Sequence, residues 1–211
     1  MLKVVSALML AGSLAACATG TTNLTLAAPQ ARPGVLSEAP ATTLDVPAIR
    51  DARQNQTRIG DKRNGYGMVM GAVGTTQPPA ATVEAAIEGI VAANNHVLGG
   101  ESARYALQST LNTFWFDYRT GLVSVEFFGT VNAEVALIDR TTGAALYTET
   151  VEGYYSERTG GGLSQTWTRI MNGALADFAT KLGNSEGLKE AIAATHAAPA
   201  APAAADAAPT S

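Results

Sequence analysis

The side chains able to do chemistry in this 211-residue chain are few and poorly spaced for joint work. Its one cysteine is Cys17, and its two histidines, His96 and His196, lie a hundred positions apart. A lone cysteine rules out an intramolecular disulfide and any paired-cysteine metal site. Glu126 and Glu134 sit on the polar side of one alternating run. A strand rises about 3.4 Å per residue, so they lie about 27 Å apart, too far for a glycosidase-type carboxylate pair. No serine stands in a Gly-x-Ser-x-Gly elbow. The glycines of RTGGGLSQTW, residues 158–167, precede a helical pattern but lack the Gly-Lys-Ser/Thr ending of a phosphate loop. They read as a turn ahead of a Ser164 cap, and His96 reads as a structural histidine near a helix end. The expectation is a non-catalytic protein with no cofactor and no metal. With 15% charged residues and a net charge of -4, the chain has no basic field for nucleic acid.

Cys17 takes its meaning from what precedes it. Met1-Leu2-Lys3 is a short basic start, and Val4 to Leu14 is an apolar stretch of eleven residues. A bilayer span needs about 20 residues, so this stretch fits the apolar region of a signal peptide instead. It ends in Leu14-Ala15-Ala16-Cys17, which resembles the lipobox of bacterial lipoproteins. That resemblance implies a signal peptide over 1–16, cut between Ala16 and Cys17. The Cys17 thiol would carry diacylglycerol, and the new amino group would be acylated, with palmitate as a typical chain. Each buried methylene contributes about 0.8 kcal/mol, and several chains on one residue anchor stably where a single chain does not. Ala18 stands where an Asp would favour the inner membrane, so the pattern implies an outer-membrane protein facing the periplasm.

Beyond the anchor, residues 17–41 are rich in Ala, Thr and Pro and read as a tether, within which Asn23 to Leu26 alternates like a short edge strand. Residues 195–211 form a low-complexity Ala/Pro tail with almost no charge. A single domain is expected over 42–194. It opens with a strand at Leu44, Val46 and Ala48, then a polar stretch, then the glycine-rich loop GYGMVMGAVG. A helix capped by Thr82 follows, with Val83, Ile87, Ile90, Val91, Val97 and Leu98 on one face and Gly99-Gly100 closing it. Three strands are expected over 105–118, 123–137 and 146–155, and the middle one alternates most clearly. A helix from Ser164 and a short one over 185–194 end the domain. The order is β-α-β-β-β-α. It predicts an α+β fold, a two-layer sandwich in which two amphipathic helices cover one face of a mostly antiparallel sheet. The expected core is Val46, Ile87, Ile90, Val91, Leu107, Leu111, Val125, Phe127, Val135, Leu137, Trp167, Leu175 and Phe178.

The lipobox, the NLTLAAP just inside it, Asp51-Ala52-Arg53 after the first strand, and the closing SEGLKEAI together resemble the YajG-like family of bacterial lipoproteins over about residues 20–192. The resemblance implies location and fold and brings no catalytic residues. The same layout also resembles, at the level of fold alone, the small auxiliary lipoproteins of envelope transport machines.

Two places stand out as candidate binding surfaces. Asp51 and Arg53 read either as a partner-binding pair at the end of the sheet or as loop charges that satisfy each other. Met68 and Met70 lie in the apolar loop, which either folds back on the core or presents flexible side chains to a partner or to lipid. Arg58, Lys62 and Arg63 make the stretch before that loop locally basic. The expected function is a lipid-anchored binding or accessory module of the cell envelope, attached to the membrane through Cys17. Alternatives are an auxiliary component of an envelope transport complex, holding lipid or a protein partner between sheet and helices, and a self-associating structural protein.

Overall fold

The computed structural model describes residues 20–64, 66–121, 124–159 and 164–197. The strands are β1 (Thr22–Leu24), β2 (Thr43–Asp45), β3 (Arg50–Asp51), β4 (Gly60–Arg63), β5 (Val69–Thr75), β6 (Val97–Leu98), β7 (Tyr105–Thr120), β8 (Val125–Asp139) and β9 (Ala144–Thr159). The helices are α1 (Pro79–Ala93), α2 (Ser164–Gly183) and α3 (Glu186–Ala197). The mixed α+β content matches the expectation. The simple β-α-β-β-β-α order does not, because five short strands precede α1 and a sixth follows it. Strands of two to four residues are too short to show a period of two.

β7, β8 and β9 form the antiparallel meander, and β8 is its middle strand. Phe127, Val131, Ala133, Val135 and Leu137 of β8 are all buried on one face, where α2 packs. β7 carries the chief surprise. Its register shifts between Leu111 and Thr113, leaving Asn112 as an extra residue. A bulge inverts the alternation beyond it. Phe114 and Phe116 therefore turn inward and are buried, while Trp115, expected beside Leu107 and Leu111, faces the other way. Phe116 stacks on Phe127 with centroids 5.9 Å apart and meets Trp167 of α2 at 5.4 Å. The other edge of β7 is shared in turn by β2, β3 and β4, all parallel to it. β5 returns antiparallel to β4, and β1 adds parallel to β5.

The expected core is largely the observed one. Val125 and Trp167 are only partly buried against it, and Leu24, Leu36, Ile59, Val73, Phe114 and Phe116 join it. Leu24 and Leu36 correct the domain boundary. The packed fold begins at Thr22, so most of the segment read as a tether over 17–41 belongs to the sheet or lies against it. At the other end, α3 runs past residue 194 to Ala197. Thr82 is also reassigned: α1 starts at Pro79, whose fixed φ suits a first turn, and the Thr82 hydroxyl donates back to the Pro78 carbonyl. The same helix stops at Asn94-Asn95, where Asn95 adopts φ +63°. Val97 and Leu98 therefore fall on a short exposed strand paired with β2, outside the helix.

His96 ties this helix end to the N-terminal segment. Its Nδ1 accepts from the Thr42 amide at 3.3 Å, which leaves the proton on Nε2, facing the Leu36 carbonyl at 3.2 Å. Thr42 also meets His196 Nε2 through its hydroxyl, so the two histidines straddle one threonine. Burial lowers the His96 pKa below the ordinary 6.5, outweighing the Leu36 carbonyl that favours the cation; nearby His196 lowers it further. Below pH 6.5 the unfolded chain takes up a proton that the folded chain refuses, so stability is lost as pH falls from 6.5 towards the folded pKa. A His96→Gln variant is expected to show a smaller drop in melting temperature between pH 7 and pH 5 than the parent. An equal drop would place the titration elsewhere.

Candidate functional site

Two neighbouring places at the β3–β5 side of the sheet gather the candidate residues. The first is the turn after β3. Arg53 Nε donates to Asp51 Oδ1 at 2.9 Å and Nη2 to Oδ2 at 2.7 Å, a two-point grip. The remaining guanidinium hydrogens reach the Gln56 and Arg58 carbonyls, each at 3.4 Å, and the side chain is only 4% exposed. Burial acts to raise the Asp51 carboxyl, but the Arg53 hydrogen bonds and charge outweigh it and hold the group below the ordinary 3.8. Asp51 and Arg53 are thus brought together, and they satisfy each other while stapling the 53–58 loop. Arg53 stands between two hollows. One, of about 460 Å³, is lined by Asn23, Gln56, Thr57 and Thr76; the other, of about 570 Å³, by Asn55, Asn112 and Trp115.

The second place is the β4–β5 hairpin. The stretch expected as a loop is partly strand: Val73 is fully buried and pairs with both Gly60 and Thr22. The tip is ordered by Asn64, whose side-chain oxygen accepts from the Tyr66 and Met68 amides, each at 3.0 Å. Its backbone N–H donates to the Met68 carbonyl, and its carbonyl accepts from Gly67, which turns at φ +82°. This scaffold holds apolar side chains in solvent. Tyr66 is 91% exposed, Met68 58%, Val69 50% and Met70 37%. Behind the tip, Asp61 bridges Arg58 at 3.1 Å and Arg63 at 3.2 Å, while Lys62 donates to the Thr22 hydroxyl at 3.0 Å. Two of these three cations share the Asp61 carboxylate. The sequence flagged Met68 and Met70; Asn64, which fixes their display, carries no signal beyond a turn residue beside glycines.

A third surface was missed. On the sheet face opposite the helices, Phe128 stacks on Tyr154 at 6.1 Å, and the Arg119 guanidinium lies 4.5 Å over the Phe128 ring. Phe128, between polar Glu126 and Thr130, was the available hint. Elsewhere several acidic side chains are engaged in pairs with arginines. Asp139 accepts from Arg104 at 2.8 Å, and Arg104 and the Thr141 amide hold its carboxyl at about 2. Asp45 pairs with Arg140, and Glu157 with Arg169 at 2.7 Å. Cys17 and Ala16, the signal segment, the glycines at 160–162 and the tail beyond 197 lie outside the described residues. Among the described residues, no helix is long and apolar enough to cross a membrane, and no group of three or more His, Cys, Asp or Glu side chains is placed to hold a metal.

The fold defines an α+β domain of a class already seen in a Gram-negative protein. A Xanthomonas campestris protein of the DUF330 family superposes with a TM-score of 0.57, covering 84% of this chain and 98% of its own at 14% identity. A minor lipoprotein from Acinetobacter baumannii matches more loosely, with a TM-score of 0.41 over 67% of this chain and 95% of its own, at 13% identity. A lipoprotein from Neisseria meningitidis gives 0.30 over 66% and 99%, at 15% identity. No protein-family model matches the sequence, and no curated protein is significantly similar to it.

Proposed function

We propose that the protein is a non-catalytic, lipid-anchored lipoprotein of the Gram-negative outer membrane, facing the periplasm and serving as a binding or accessory module. The observation that carries this reading is the lipobox cysteine and its distance from the fold. Only residues 18–21 separate Cys17 from β1. A chain attached at Cys17 would therefore hold the whole domain against the bilayer. The shared fold with the DUF330 protein fits such a module, and the YajG-like resemblance agrees with it. The pairing of Asp45, Asp51, Asp61, Asp139 and Glu157 with arginines favours a structural role for these acids over acid–base chemistry.

The test is Cys17→Ala. The parent is expected in the membrane fraction, with its N-terminal peptide heavier by the diacylglyceryl and acyl groups. The variant is expected to lose that mass and leave the membrane. A parent that is soluble, or that carries an unmodified thiol, overturns the reading.

Of the two alternatives, the structure favours one. Among the described residues, the space between helices and sheet is filled by Phe116, Phe178, Met171 and Leu175, all nearly inaccessible, which counts against a lipid held there. β9, by contrast, is sixteen residues long and, among the described residues, pairs with β8 alone. On its outer side the Tyr154 amide and the Glu152 carbonyl are taken by Asp177 and Lys181 of α2, and the stretch over 145–150 is the part of the edge that offers a template for a second chain. In-cell crosslinking separates the readings: adducts of the chain with itself favour assembly through β9, and a stoichiometric envelope partner favours the accessory role.

A further inference from the structure

We propose that the β4–β5 hairpin tip, Tyr66 to Met70, is a second membrane contact that inserts into the headgroup boundary of the bilayer holding the Cys17 acyl chains. The inference rests on the lipid-anchor reading and adds to it an orientation for the domain.

The argument is geometric. β1 runs parallel to β5, with Thr22 beside Val73 and Leu24 beside Thr75. The chain that leads back from Thr22 towards Cys17 therefore starts at the same end of β5 as the hairpin tip. From Val73 back to Val69 is about 13 Å along the strand. From Thr22 back to Cys17 is five residues, at most about 17 Å of extended chain. Cys17 can thus reach the level of the tip and little beyond it. The acyl chains and the four exposed apolar side chains of the tip would meet the same plane.

The chemistry suits that plane. Tyr66, Met68, Val69 and Met70 offer an aromatic ring with a polar end and flexible thioethers, all exposed. Asn64 fixes their outward display through four hydrogen bonds to the backbone of the tip, so the exposure is built into the turn. Arg58 and Arg63, which share Asp61, and Lys62, which donates to the Thr22 hydroxyl, lie one step behind the apolar tip. An apolar edge backed by cations matches the order of acyl boundary and anionic phosphate in a phospholipid surface. The β8–β9 turn, with Thr141 at its exposed crest, lies at the opposite end of the meander and would point away from the membrane.

The full-length protein supplies its own test, because a lipid-modified Cys17 has no thiol to label. The membrane-extracted protein is placed in vesicles of phosphatidylethanolamine and phosphatidylglycerol. Tyr66→Cys, Met68→Cys and Thr141→Cys are each labelled with a polarity-sensitive fluorophore. The proposal predicts blue-shifted emission at 66 and 68 and quenching by lipid-borne nitroxides roughly threefold stronger than at 141. Equal, weak quenching at all three sites, with the parent refusing label, overturns the tip contact and leaves the anchor intact. A blue shift that lipid nitroxides do not touch assigns the tip to a protein interface and also overturns it. A parent that labels at Cys17 overturns the anchor and this inference together.

Discussion

Replacing Gly153 with alanine is expected to lower the stability of the fold by about 3 kcal/mol. For a chain of this size that is a fall in melting temperature of roughly 6–12 °C. Gly153 sits in β9 directly under α2. A Cβ built there would strike the Ala174 carbonyl oxygen and come within 2.5 Å of the Phe178 amide nitrogen and 2.6 Å of its Cβ. Two of these are backbone atoms, so no rotamer change relieves the clash. The helix would have to lift from the sheet, and it carries Ile170, Met171, Leu175 and Phe178, each fully buried. Gly173 repeats the device in reverse, since the Tyr155 ring of β9 lies 2.5 Å from where its Cβ would stand.

A control separates this steric effect from the general cost of losing a glycine. Gly143, in the β8–β9 turn, adopts φ +73° with nothing within 4 Å of the methyl that alanine would add. Gly143→Ala should cost about 1 kcal/mol, the ordinary cost of a left-handed conformation for a residue with a Cβ. Thermal melts of the two variants are expected to rank Gly153→Ala well below Gly143→Ala. Equal shifts would mean that α2 can slide on the sheet, and that close packing does not fix its position.

What the sequence made legible follows the length of the elements. β8 alternates over fifteen residues with its odd positions from Phe127 onward buried, and its face was readable from Phe127, Val131, Val135 and Leu137 alone. The helical face through Ile87, Ile90 and Val91 was equally plain. Periodicity fails where a single residue shifts it: nothing in Leu111-Asn112-Thr113 announces the bulge that swaps Phe114 and Phe116 for Trp115. It fails again for β2 to β4, whose place is set by the edge of β7 and not by their own two to four residues. At the candidate surfaces, composition pointed to Asp51, Arg53, Met68 and Met70. It could not show that the first two exhaust each other's hydrogen bonds while the last two are held out in solvent. That difference is made by tertiary partners, the carbonyls of Gln56 and Arg58 in one case and Asn64 in the other.

Leu24→Ala is expected to cost about 3 kcal/mol, as truncation of a fully buried leucine does. The side chain is 1% exposed although it lies only seven residues from Cys17. β1 has three residues and one paired neighbour, so Leu24 supplies much of what holds it, together with the hydrogen bond from the Thr76 amide to the Leu24 carbonyl. The meander does not depend on β1, so the loss should appear first as local opening of the N-terminal strand. Faster cleavage by a protease between residues 20 and 34, at temperatures where β7 to β9 remain folded, is the expected sign. The consequence reaches the membrane. With β1 released, the free chain after Cys17 lengthens, and the hairpin tip is no longer held at the depth of the acyl chains. A fluorophore at Tyr66→Cys should then lose most of its quenching by lipid-borne nitroxides in the Leu24→Ala background while the protein stays membrane-bound. Quenching that persists unchanged would show that the tip binds lipid on its own strength, independent of the short rigid link between anchor and sheet.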